Sequence, residues 1–326
     1  MAMVLSPSDN QVFNPRIAEW ALPFLKWQCD LDDENSITNL MHAMSFSEDR
    51  TLEVTIGNAT RVTRLWDAPH PSAVVLAIHG GMAHSGDYET VGQYFRDAGI
   101  TTVSFDLSGH GSHTRVDVAG FEVFLNDVEQ MLGWTRAQFP SLPLFVVGHS
   151  MGALIATHLE LSGRLDTFAV KGIVLSSPYF SNAIPVSPLV IQLSRLLATF
   201  FPTAKVPMES FTEWLTHDTA IVERYRADEK AKRRSTEASF RFGRALLDAQ
   251  ASLKENLNRW HHPLFAVVAG DDRLADAKTS LRMLQTVPAQ CLELHHYPDN
   301  YHENFNELNR SEIFEAMTHW MRQHLS

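Results

Sequence analysis

The feature that most constrains this chain is a set of near-unbroken apolar runs separated by longer helical patterns. The runs are Ala73 to Ile78, Thr101 to Phe105, Leu144 to Val147, Gly172 to Leu175, Leu264 to Val268 and Cys291 to Leu294. A strand that is apolar on both faces has to be covered on both, and strands joined through helices run parallel. The pattern therefore predicts an α/β fold with a mostly parallel central sheet flanked by helices. Two further β-like runs, Thr51 to Ile56 and Arg61 to Trp66, precede the set around Gly57-Asn58, a pair whose permissive backbone suits a hairpin turn.

The alternation breaks once. Between Ser177 and about Asn258 the chain reads as helices without an intervening strand, too long an interval for a loop, which predicts a helical cap inserted after the sixth strand. Within it Ser187 can cap a helix with Pro188 at the first position, and Pro202 ends it. Leu189, Leu193, Leu196, Leu197 and Phe200 recur at helical spacing, and Val190, Ile191 and Phe201 widen the apolar face. Above a sheet, so wide a face serves either as plain packing or as a lid that binds an acyl chain. The predicted division is an N-terminal extension packed on the core (1–45), a first core part (46–177), the cap (178–258) and a second core part (259–326).

At 326 residues the chain can bury one large core. A formal net charge of -11 argues against a nucleic-acid partner, which needs a concentrated basic surface. The one basic run, Lys230-Ala231-Lys232-Arg233-Arg234, reads as a solvated helix face. Cys29 and Cys291 cannot build a disulfide framework, and neither joins close-spaced metal ligands. The N-terminus lacks a basic region followed by a long apolar stretch, and no segment approaches the roughly 18 apolar residues of a membrane span. A reducing cytoplasm is the predicted setting, with no metal or organic cofactor. Oligomeric state is not legible.

The chemistry starts at Gly148-His149-Ser150-Met151-Gly152, between the run Leu144 to Val147 and the helix-like stretch Ala153 to Ser162. Strand, tight turn and helix is the setting in which G-x-S-x-G is a nucleophile elbow. A serine hydroxyl is a weak nucleophile at neutral pH, so Ser150 needs a base and a group that orients it. The best-placed base is His302, after the last predicted strand. The orienting acid comes from Gly270-Asp271-Asp272-Arg273, at the C-terminal tip of the run Leu264 to Val268, and spacing alone leaves Asp271 and Asp272 both open. Oxyanion donors are expected from the backbone N–H of Met151 and from Gly81 in His79-Gly80-Gly81-Met82, the loop after the third strand. His79, His149, Leu189, Leu193 and Leu197 are the candidate substrate contacts.

These residues resemble the α/β-hydrolase superfamily and, within it, the monoacylglycerol lipase/lysophospholipase branch. The resemblance rests on His79 to Tyr88, Asp106-Leu107-Ser108-Gly109-His110-Gly111, the elbow, Ser176-Ser177-Pro178, Gly270 to Leu274 and Tyr301-His302-Glu303, and covers about residues 50 to 326. Leu215-Thr216-His217-Asp218, Val222 and Tyr225 match that family's cap. The family pattern implies Asp272 rather than Asp271 as the third triad member. It implies a serine esterase acting through an acyl-enzyme on a small-molecule acyl ester, such as a monoacylglycerol or lysophospholipid, with peripheral membrane contact through the cap. Two positions depart from the pattern: Ala83 stands where the family usually has Glu, and Ser108 where it has Arg. The same triad also serves thioesterases, acyltransferases and proline-type aminopeptidases, the last needing a carboxylate near the pocket, for which Glu209, Glu213 and Glu223 are available. From another class, the fold can also carry a non-catalytic ligand receptor.

Overall fold

The computed structural model describes residues 49–325 apart from 112–114, 186, 209–210 and 255–256. The expected N-terminal extension, 1–45, lies outside the described residues. The chain opens with β1 (Arg50–Ile56) and β2 (Ala59–Trp66), antiparallel, with Ile56 opposite Ala59, so Gly57-Asn58 forms a two-residue turn in which Gly57 has φ 57°. β3 (Ala73–Ile78), β4 (Ile100–Phe105), β6 (Leu144–His149), β7 (Val170–Ser176), β10 (Leu264–Ala269) and β11 (Leu292–Tyr297) complete an eight-stranded sheet in the order β1-β2-β4-β3-β6-β7-β10-β11. β2 meets β4 antiparallel, and every pairing from β4 to β11 is parallel.

The two faces of β3 divide the core. Val74, Leu76 and Ile78 join Phe124, Val128 and Met131 of α2 (Glu122–Gln138) and Leu154, Ile155 and Leu159 of α3 (Met151–Leu161). Ala73, Val75 and Ala77 join Val91 and Phe95 of α1 (Glu89–Asp97) and Ile313, Phe314, Met317 and Trp320 of α8 (Arg310–Gln323). Side chains alternate across a strand, so a continuous apolar run supplies both layers at once.

Between β7 and β10 lie α4 (Pro188–Phe200), α5 (Thr219–Lys230) and α6 (Phe240–Ser252). Ser187 caps α4 by accepting from the Val190 N–H, with Pro188 in the first turn. The expectation of helices alone is corrected here. β8 (Lys205–Pro207) and β9 (Glu237–Ser239) form a three-stranded sheet with β5 (Arg115–Val116), a two-residue strand that precedes α2. Strands of two or three residues are too short to leave a periodicity in the sequence. They fasten the inserted segment to the core through the parallel pair Arg115–Glu237 and Val116–Ala238. After β10, α7 (Ala277–Leu284) is capped by Asp276.

Candidate active site

Ser150 sits between β6 and α3 with φ 54°, a left-handed conformation that a non-glycine residue adopts only where its surroundings fix it. The flanking glycines are obligatory. A Cβ on Gly148 would lie 2.6 Å from the Gly152 carbonyl oxygen, and one on Gly152 only 2.0 Å from that of Ile78. Met82 in the loop after β3 (φ 63°) and Ser177 after β7 (φ 42°) are also left-handed, so strained backbone gathers around the serine.

Asp272 follows β10 and His302 follows β11, which places both at the sheet edge where β6 delivers Ser150. His302 Nδ1 donates to Asp272 Oδ2 at 2.7 Å, and both side chains are buried. Asp272 Oδ1 accepts the Leu274 and Ala275 N–H groups at 2.8 and 2.9 Å, so one carboxylate closes the turn with one oxygen and holds the imidazole with the other. Asp271 points outward, half-exposed, beside Arg273. Burial alone would lower the His302 pKa, but the Asp272 charge and hydrogen bond outweigh it and raise it. Burial likewise opposes the charge on Asp272, which His302 and the two backbone donors nevertheless keep below the usual carboxylate range.

Ser150 and His302 line one cavity of about 190 Å³ together with Gly81 and Met151. A Cβ on Gly81 would stand 3.7 Å from the Met151 Sδ, so the two expected oxyanion donors belong to adjoining segments. His79 does not reach this cavity. Buried beneath the loop, it accepts the Leu107 N–H on Nε2 at 3.0 Å and donates from Nδ1 to the Gly80 carbonyl at 2.7 Å, and burial lowers its pKa. It is a neutral clamp between the loops after β3 and β4. His149 does line the cavity. Its ring stacks edge-on to His302 at 4.8 Å, and its Nε2 lies 3.4 Å from Glu303 Oε1. Burial alone would push the Glu303 carboxyl up; the facing imidazole brings it down to about 2.

The cap supplies a different wall from the one expected. Leu189, Leu193 and Leu197 are absent from the cavity lining, and Leu189 and Leu193 are 75% and 52% exposed. Helical periodicity shows that an apolar face exists without showing which way it turns. Here Ile191, Ser194, Leu197 and Ala198 form the better-buried side of α4, and Leu189, Leu193 and Leu196 face outward. The apolar wall instead comes from Met208, Phe211, Leu215, Phe242, Leu246 and Leu274. At its polar end stand Glu229, Arg234 and Glu303. Arg234 corrects the reading of the basic run as a solvated face: it is buried, paired with Asp87 and stacked 4.0 Å over the Tyr225 ring. Of these polar residues only Glu303 carried a sequence signal, its place next to His302. Glu213 and Glu223, considered for an aminopeptidase, lie on the surface beside Arg226, and Glu209 is outside the described residues. Ala83 borders the cavity, whereas Ser108 accepts a hydrogen bond from Arg61, a guanidinium brought from β2.

Residues 69–309 match the family described as Serine aminopeptidase, S33. The chain belongs to that family. This S33-family chain is 28% identical to Phospholipase YtpA of Bacillus subtilis over 80% of its own length and 99% of the relative's. It is also 28% identical to a monoacylglycerol lipase of Mycolicibacterium smegmatis, over 83% and 95% of the two chains. In fold it is similar to a soluble variant of the Saccharomyces cerevisiae monoglyceride lipase in complex with a substrate analogue, at TM-score 0.75 and 21% identity over 86% of this chain and 99% of that one. The fold is that of the α/β-hydrolases.

Proposed function

We propose that this protein is a serine carboxylic-ester hydrolase acting on single-chain acyl esters such as monoacylglycerols or lysophospholipids. The observation that carries the reading is the Asp272–His302 bond beside Ser150 on a strained elbow, all over one cavity with an apolar wall. With Nδ1 committed to Asp272, His302 has Nε2 free to take the Ser150 proton as Oγ attacks the ester carbonyl. Asp272 holds the tautomer and stabilises the imidazolium. The Gly81 and Met151 N–H groups meet the oxyanion, each donor being worth roughly 3–4 kcal/mol in related chemistry. His302 then passes the proton to the departing alcohol, and water activated by the same nitrogen releases the acid from Ser150. The names of the relatives support this class of substrate.

A volume of about 190 Å³ is small beside the roughly 300–1,000 Å³ that encloses a drug-sized ligand, so with the cap as placed a short acyl chain fits and a long one requires the cap to shift. On purified protein, p-nitrophenyl esters of increasing length are expected to peak at short acyl chains and to fall off as the chain outgrows the cavity. A second reading, an aminopeptidase, is favoured by the carboxylates of Glu229 and Glu303 in the cavity, which could hold a substrate ammonium. Aminoacyl anilides run beside the esters decide between the two, and faster anilide cleavage overturns the esterase.

Ile184, Leu189, Val190, Leu193, Leu196, Phe200 and Phe201 expose an apolar face on and around α4, suited to resting on a lipid surface. No described helix is long and apolar enough to cross a membrane. The double variant Leu189→Ser/Leu193→Ser is expected to lose association with phospholipid vesicles while keeping activity on soluble esters. Unchanged vesicle binding would remove this face from the picture.

A further inference from the structure

A second carboxylate–imidazole cluster lies at the other end of α3. We propose that Glu160, His261 and His262 form a binding site for a divalent transition-metal ion of the zinc(II) class. Glu160 is buried near the C-terminus of α3, and His261 and His262 come from the segment leading into β10. His262 Nδ1 lies 2.7 Å from Glu160 Oε2 and His261 Nδ1 lies 3.1 Å from Oε1. The three ligand atoms are all within 4.8 Å of one another. Around a tetrahedral zinc ion, ligand atoms stand about 3.3 Å apart, a spacing that lies between the 2.7 and 3.1 Å nitrogen–oxygen distances and the 4.8 Å limit, so seating an ion takes local adjustment of the rings and the carboxylate.

Three observations distinguish this cluster from an ordinary buried ion pair. First, His261 offers its other nitrogen, Nε2, to Asp166 Oδ1 at 2.9 Å. Metal-bound imidazoles are held in this way, the second ring N–H on a carboxylate that fixes the tautomer and leaves the inner nitrogen as the ligand. Second, among the described residues the ion pairs of Glu160 and Asp166 run to imidazoles alone, with no guanidinium or ammonium to balance two carboxylates. Third, His261 is half-exposed, so an ion has access from solvent and the ring has room to turn.

Among the described residues the other grouping of the same residue types, His84, Asp87 and Asp228, lacks these properties. Arg234 already occupies Asp87 and Arg233 occupies Asp228, so a dication there would face two guanidinium groups. The nitrogen and oxygen donors of the Glu160 site suit zinc or its neighbours in the first transition row, with water completing the shell. Ser150 immediately precedes α3 and Glu160 is ten residues further on, about 15 Å along the axis, so the ion would fasten α3 to the start of β10 rather than act on substrate.

The test uses the full chain, stripped with a chelator and dialysed, titrated with Co(II) and with Zn(II). Expected are one equivalent bound per chain, visible ligand-field bands for Co(II) that Zn(II) abolishes, and a rise in Tm with added Zn(II). His261→Asn, at an exposed position that leaves packing intact, is expected to weaken binding at least about 100-fold. Asp166→Asn, which removes only the outer carboxylate, is expected to weaken it about 10- to 100-fold. Absence of saturable binding in the wild type overturns the proposal. Binding that survives in the His261→Asn/His262→Asn double variant overturns it equally, because the ion would then sit elsewhere.

Discussion

The two ends of α3 carry the same chemical pair, a buried carboxylate against imidazole, in two different settings. At the N-terminal end Asp272 holds one imidazole, His302, whose remaining nitrogen is left for a cavity shared with Ser150. At the C-terminal end Glu160 is met by two imidazoles and by the backbone N–H groups of His261 and His262, with no hydroxyl nucleophile among those partners. The pair itself is not what separates chemistry from architecture. What separates them is the setting of the second imidazole nitrogen: a cavity shared with a strained serine in one case, the Asp166 carboxylate in the other.

The sharpest way to break this comparison is to remove an imidazole at each end. His302→Ala is expected to lower kcat by about 10⁶-fold, as loss of a triad base does elsewhere. His262→Asn should leave kcat within about twofold while lowering Tm, since it removes a buried hydrogen bond worth about 1–3 kcal/mol. Ester hydrolysis and thermal melts on both variants check this, and similar losses of kcat would make the two clusters alike.

Neutralising the carboxylates is expected to have a smaller but still divided effect. Asp272→Asn should lower kcat about 10⁴-fold by presenting the wrong tautomer, with melting little changed. Glu160→Gln should do the reverse, destabilising the fold by about 1–3 kcal/mol with kcat near wild type.

The pH dependence gives the smallest effect and reports on the Asp272 end alone. In the proposed mechanism catalysis needs neutral His302, and Asp272 favours the imidazolium, so the raised pKa is expected to place the acid limb of kcat/KM above pH 6.5, with activity falling as pH drops through it. Asp272→Asn removes that stabilisation and should move the residual limb to lower pH. An unmoved limb would mean that another group titrates.

The difference between the two ends also shows what the sequence could carry. Ser150 and Asp272 could be placed from the sequence because each follows a strand of nearly continuous apolar residues, His302 because it follows the last short β-like run, and parallel strands deliver their C-terminal ends to one edge. The choice of Asp272 over Asp271 came only from the family resemblance; in the structure one oxygen of Asp272 accepts the Leu274 N–H and the other the His302 Nδ1–H. Glu160 carries no such signal, since its partners stand 101 and 102 positions further on and only the packing of α3 against the start of β10 brings them together. Leu189 and Leu193 failed for a different reason. Periodicity gave them a common face, but which side of α4 meets α6 is a tertiary choice. Arg234 was hidden by its basic neighbours, and Asp87, which draws it inward, lies far away in sequence.

Whether Ser150 is a nucleophile activated by His302 is decided by fluorophosphonate labelling of the full chain followed by peptide mass spectrometry. The expected result is a single adduct on Ser150 that disappears in Ser150→Ala and forms far more slowly in His302→Ala. A wild-type chain that stays unlabelled, or an adduct on any other residue, would contradict it.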